Sequence, residues 1–133
     1  MKLFLIGYLA VVSILSITLF QDNELKKSIE RGSEVYADFC VTCHLPKGEG
    51  VANTFPPLAK SDYLLKNREA SIRGIKYGQS GEILVNGFTY NGVMPAMGLS
   101  DEEVADVMNY ILNSWGNTSK KIVTLEEVSL ISK

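Results

Sequence analysis

Histidine and cysteine are almost missing from this 133-residue chain: it has one histidine, His44, and two cysteines, Cys40 and Cys43. A structural zinc site is built from four ligands, usually two paired half-sites, and no second half-site exists here. Low-complexity runs and internal repeats are also lacking, and proline (four) and glycine (11) are ordinary in number, which excludes a solenoid or a disordered linker. Positive charge is not in excess: 13 Lys and Arg stand against 15 Asp and Glu, a formal net charge of −2. Leaving out residues 1–20 gives twelve against fifteen, a net of −3, so there is no nucleic-acid footprint. Residues 77–119 hold no basic residue at all, whereas residues 60–76 hold Lys60, Lys66, Arg68, Arg73 and Lys76. Such asymmetry suits steering of a charged protein partner, and equally suits plain solvated helix faces.

The scarce residues are all in one place, Cys40-Val41-Thr42-Cys43-His44. Cys-x-x-Cys-His is the spacing at which two thiols attach a haem covalently while the next imidazole ligates its iron. A thioredoxin-like pair would follow a strand in a βαβ pattern, but residues 33–39 read as a helix turn. A disulfide alone leaves the adjoining histidine without a reason.

With no second histidine, bis-histidine ligation is excluded, and methionine is the usual alternative in electron-transfer haems. The four candidates are Met1, Met94, Met97 and Met108. Met1 lies in the leader. Met108 belongs to a helical stripe with Val104, Val107, Ile111, Leu112 and Trp115, which marks core packing. Met94 and Met97 lie in a loop over residues 91–98. Met94 is preferred because Pro95 fixes the backbone beside it; Met97 is the alternative, and the bland reading is that both only line an apolar pocket.

Residues 3–20 run for eighteen positions without a charge. At about 1.5 Å per residue such a helix approaches the thickness of a bilayer core. No Ala-x-Ala cleavage site follows, so an uncleaved anchor is favoured over a cleaved signal, with Lys2 on the cytoplasmic side. Three segments result: 1–21 as signal peptide or membrane anchor, 22–117 as the domain, and 118–133 as a polar tail. Within the domain the patterns predict a helix over 24–41 with Gly32 at a close helix contact, and a second helix over 61–77 capped by Ser61. They also predict a hairpin over 82–90 turning at Asn86-Gly87, and a helix over 101–115 with a Ser100/Glu103 capping box. Gly32 and Tyr36 at one end and Tyr110 at the other are placed to meet. Thr124 and Glu127 suit a short final turn.

Across residues 30–116 the chain resembles a class I cytochrome c. The resemblance rests on Cys40-x-x-Cys43-His44, on Val85-Asn86-Gly87 and Tyr90-Asn91-Gly92-Val93-Met94-Pro95, and on the stretch from Leu99-Ser100-Asp101 to Trp115-Gly116-Asn117. These are similar to cytochrome domains that accept electrons from periplasmic dehydrogenases. The resemblance implies an all-α fold around one covalent haem c and its iron, with one short hairpin before the methionine loop. It implies His44 and Met94 as metal ligands, Cys40 and Cys43 as attachment points, and the Pro56 carbonyl as acceptor for the second ring nitrogen of His44. Many relatives have Gly where this chain has Leu45. The implied function is single-electron transfer rather than catalysis, with a dehydrogenase, an oxidase or another cytochrome as partner. The implied place is the bacterial periplasm or the outer face of the cytoplasmic membrane. The alternatives are a non-catalytic cytochrome subunit of a larger complex, and a haem peroxidase or gas sensor with an open iron.

Overall fold

A computed structural model describes the backbone of residues 2–133 and, before Gln21, the side chains of Tyr8, Val12, Ser13, Ser16, Leu19 and Phe20. The first element, α1 (Lys2–Phe39), is one unbroken helix, so the leader and the expected helix over 24–41 are continuous. Most side chains of residues 3–20 lie outside the described set, and with them the apolar character of the leader in the structure. Among the described residues no helix is long and apolar enough to cross a membrane.

The short α2 (Val41–His44) follows directly, then a loop, then α3 (Asp62–Lys66) and α4 (Arg68–Tyr77). A two-stranded hairpin, β1 (Gln79–Val85) and β2 (Phe88–Met94), precedes α5 (Asp101–Ile111) and α6 (Leu125–Ser129). The molecule is thus helix-rich with one hairpin.

The centre of the fold is the crossing of α1 on α5. Gly32 makes it possible: a Cβ there would stand 2.0 Å from the Asp106 carbonyl oxygen and 2.9 Å from Tyr110 Cβ. The helix-interior glycine, which costs about 1 kcal/mol against Ala, is therefore explained by backbone contact, as its position suggested. Beside the crossing, the buried Asp106 carboxylate accepts from Ser28 Oγ at 2.6 Å and from Arg31 Nε and Nη2 at 2.6 and 2.7 Å. Tyr36, Tyr110 and Trp115 close one end as a cluster of three rings with centroids 5.0–5.4 Å apart. Val104, Val107, Met108 and Ile111 of α5 are buried in the core, Met108 completely.

Four boundaries differ from the sequence patterns. The helix over 61–77 is broken at Asn67, whose side chain donates to the Tyr63 carbonyl at 3.1 Å and diverts the backbone, as Asn does when it competes with helical bonds. The hairpin is longer than 82–90. Asn86 and Gly87 both take positive φ, 52° and 82°, as a tight two-residue turn demands, and pairing continues to Gln79↔Met94. Met94 therefore ends a strand rather than lying in a loop. Helix α5 stops at Ile111 instead of residue 115, while its capping box forms as expected.

The last segment is not merely a polar tail. Val123 and Val128 are buried in the core. Asn109 clasps Val123 through both its backbone N–H and its carbonyl, at 2.7 and 2.9 Å. Arg68 grips Glu127 with two bonds of 2.6 and 2.8 Å and also donates to the carbonyls of Lys121 and Ile122. Thr124 caps α6 by accepting from the Glu127 N–H, as read.

Candidate functional site: an apolar cleft at the Cys-x-x-Cys-His helix

Helix α1 delivers the pentapeptide to the wall of a cleft. Cys40 N donates to Tyr36 O at 3.0 Å, and His44 N donates to Cys40 O at 2.9 Å. The two thiols and the imidazole are thus carried on helical turns continuous with the longest element. Cys40 and Cys43 are not joined to each other. Burial, and secondarily Cys43, pushes the Cys40 thiol up to about 11. A redox-active pair needs the opposite, a depressed thiolate. Zinc also loses ground: among the described residues no three His, Cys, Asp or Glu side chains are gathered as a metal cluster.

His44 is 8% exposed, and its Nδ1 lies 3.0 Å from the Pro56 carbonyl oxygen. A carbonyl can only accept, so Nδ1 carries the proton and Nε2 keeps its lone pair. Burial lowers the imidazole pKa, and the bond to Pro56 partly opposes that. The neutral ring with a free Nε2 is the form that ligates iron.

The loop after His44 exists to bring Pro56 there. Gly50 N donates to His44 O at 3.0 Å, Val51 pairs with Phe55, and Leu58 and Ala59 both donate to Gly48 O. Gly50, at φ 64°, lies so close to the Phe55–Pro56 backbone that a Cβ would stand 2.4 Å from Phe55 O. Gly48, at φ 63°, lies against the Trp115 ring. Leu45 takes φ 63°, ψ 161°, a region nearly reserved for glycine. Its carbonyl accepts from Tyr36 Oη at 2.8 Å and from Gly48 N at 3.0 Å.

Cys40, Cys43, His44, Pro56, Met94 and Met97 all line this one cleft. Its enclosed space is ≈ 180 Å³, and it opens to solvent at its mouth. Phe39, Phe55, Leu64, Ile75, Ile83, Val85 and Leu99 supply apolar walls. A flat, largely apolar macrocycle fits this donor set: two thiols, one imidazole lone pair and thioether sulfurs on an apolar cleft. Both methionines reach the wall, so position alone does not separate them. Met94 is the better fixed, since Gly78 at φ 82° lies against the backbone of Met94, Pro95 and Ala96.

Sequence reasoning did not single out Gln79 of this wall. Gln79 was hidden because the hairpin begins before the predicted residue 82. The alternation Gln79, Gly81, Ile83, Val85 is a period-2 signal that a longer strand assignment would have exposed.

A helical domain that presents Cys-x-x-Cys-His and methionine to an apolar cleft defines a c-type haem protein. The family model for cytochrome c matches residues 29–115. Cytochrome c-552 of Thermus thermophilus is 42% identical over 106 residues, spanning 73% of this chain and 80% of the relative. The cytochrome c subunit of a quinone-dependent alcohol dehydrogenase of Gluconobacter oxydans is 34% identical over 101 residues, 73% of this chain but only 21% of that subunit. The cytochrome c subunit of a gluconate 2-dehydrogenase of Pantoea cypripedii is 32% identical over 137 residues, 85% of this chain and 28% of the relative. The chain belongs to the cytochrome c family: it is a class I mono-haem cytochrome that carries covalent haem c with its iron and transfers electrons.

Proposed function

We propose that this protein shuttles single electrons between redox proteins outside the cytoplasmic membrane, with both axial positions of its iron filled by its own side chains. The bound haem supplies the one-electron iron couple. Cys40 and Cys43 hold the group through thioethers. His44 ligates through Nε2, and Pro56 fixes the plane and tautomer of the ring through Nδ1. Met94 supplies the second ligand, and its softer sulfur favours the reduced iron and a higher potential. The apolar wall excludes water, which favours the less charged state of the centre. Filling both positions leaves no place for a substrate, so the protein acts as a carrier and not as an enzyme.

The observation that carries this reading is the His44–Pro56 contact at 3.0 Å within a cleft that also gathers both cysteines and Met94. The dehydrogenase subunits among the relatives favour an electron donor of that kind, with an oxidase or another cytochrome as acceptor. Residues 1–21 are read as the anchor or signal, 22–117 as the haem domain, and 118–133 as its C-terminal extension.

Variants test the ligand set. Met94→Ala should abolish the weak long-wavelength sulfur-to-iron absorption of the ferric protein, while Met97→Ala keeps it. The reverse pattern would move the ligand to Met97. Mass spectrometry of the peptide spanning residues 40–44 should find it with haem attached through both cysteines.

A further inference from the structure

The segment that follows Met94 rests at both ends on the C-terminal end of α4. At its start, Gly78 takes φ 82° and lies against the chain, so that a Cβ there would stand 2.9 Å from both Met94 O and Ala96 N. At its end, Lys76 Nζ pairs with the Asp101 carboxylate at 2.9 Å, and Asp101 is the first residue of α5. The same ammonium donates to Val128 O of α6 at 2.9 Å. The Lys76 side chain is only 13% exposed, unusually covered for a lysine. Two neighbours fasten the chain beyond α6 to the same end of α4: Tyr77 Oη donates to Ile131 O at 2.9 Å, and Arg73 Nε donates to Ser132 O at 3.0 Å. The family model matches residues 29–115, so the family match does not account for this fastening.

We propose that Lys76 is a positioning residue for the iron's second ligand, and that it couples the C-terminal segment to that ligand. The inference rests on the reading of Met94 as the ligand. Residues 95–100 are irregular backbone. A stretch without its own ladder of backbone bonds opens locally unless its ends are held. Gly78 holds the Met94 end by contact, and Lys76 holds the Asp101 end by charge and hydrogen bonding. Val128 is fully buried, so its carbonyl is a firm mount for the ammonium. The C-terminal segment thereby keeps Lys76 aimed at Asp101. Loss of the bridge frees the Asp101 end, and the Met94 sulfur leaves its place in a larger fraction of molecules. An outside ligand reaches the iron in that fraction alone.

Carbon monoxide added to the reduced holoprotein reads this fraction. Lys76→Met keeps the length of the side chain and removes its charge. Asp101→Ala removes the other partner and leaves the Ser100/Glu103 capping box in place. Each variant should bind carbon monoxide about tenfold faster than the parent protein, which resists it, because the observed rate follows the open fraction. The sulfur-to-iron absorption of the ferric form should weaken, and hydrogen exchange of residues 96–100 should quicken. The double variant should be no worse than Lys76→Met, as holds when two changes break one interaction. Lys76→Arg keeps the charge and should stay close to the parent. Ser28→Ala breaks a bond at the α1–α5 crossing and should lower Tm without opening the iron. Carbon monoxide binding no faster in Lys76→Met and Asp101→Ala, effects that simply add in the double variant, or equal opening in Ser28→Ala overturns the proposal. Met94→Ala measured alongside distinguishes the two failures. If it does not bind carbon monoxide readily, the ligand assignment is wrong; if it does while Lys76→Met and Asp101→Ala stay closed, the inference about Lys76 alone is wrong.

Discussion

Leu45 shows how one residue can carry strain next to a metal ligand. It follows His44 directly and holds φ 63°, ψ 161°, where a side chain costs about 1–3 kcal/mol. Three bonds keep it there: its N–H donates to Val41 O, and its carbonyl accepts from Tyr36 and Gly48. The resemblance to a family that often has glycine there pointed to this position, but only the backbone angles give the departure an energy. Leu45→Gly removes the strain and adds glycine's own entropic cost of roughly 0.5–1 kcal/mol. It should stabilise the protein by about 1 kcal/mol and raise Tm by a few degrees in thermal unfolding followed by circular dichroism. An unchanged or lower Tm would mean that the turn is relaxed with leucine. At this scale the site was largely legible. Scarcity located Cys40, Cys43 and His44, and Pro95 drew attention to Met94. Gln79 was not legible, because its place on the cleft wall depends on what stands beside it in space.

Element boundaries were legible where a capping residue marks them and obscure where tertiary contacts decide. Ser100 with Glu103, Ser61 and Thr124 each begin a helix as their types suggest. The ends were harder. Asn67 splits one apolar pattern into α3 and α4 by a side-chain bond, and β1 and β2 extend past the apolar stretch because Met94 finds a partner in Gln79. The short α6 was the weakest signal, yet Val128 on it is fully buried. Its tether is Glu127, whose carboxyl the Arg68 guanidinium holds below its ordinary 4.5. The pair's contribution is complete above that ordinary value and is lost as pH falls through the depressed one. The hydrogen-exchange protection factors of residues 119–130 should therefore fall below about pH 4.5, ahead of those of α5. Glu127→Gln should show the faster exchange already at pH 7. Protection that is independent of pH down to 3 would assign the docking of α6 to the valines alone.

At the scale of the whole molecule, α1 joins the leader to the haem-binding helix without a break, running from Lys2 to Phe39 directly into Cys40. The uncharged run over residues 3–20 is a sequence property, and its proposed role as a membrane anchor is tested on native protein. Membrane fractionation together with an intact N-terminus by mass spectrometry is the expected result; a mature N-terminus near residues 18–22 would identify a cleaved signal. The general class of the molecule was readable before any coordinates, since one pentapeptide and one methionine loop carry the chemistry. What the sequence did not reveal is how the C-terminal segment docks, because Asn109 and Arg68 act through contacts far apart in the chain. The central claim is that both axial positions belong to the protein and that the centre only exchanges electrons. An anaerobic redox titration of the native protein, followed optically and completed by adding carbon monoxide to the reduced form, tests this most directly. The account predicts one reversible one-electron transition and a reduced spectrum that carbon monoxide leaves unchanged. Ready carbon monoxide binding, with turnover of peroxide by the same preparation, would contradict it.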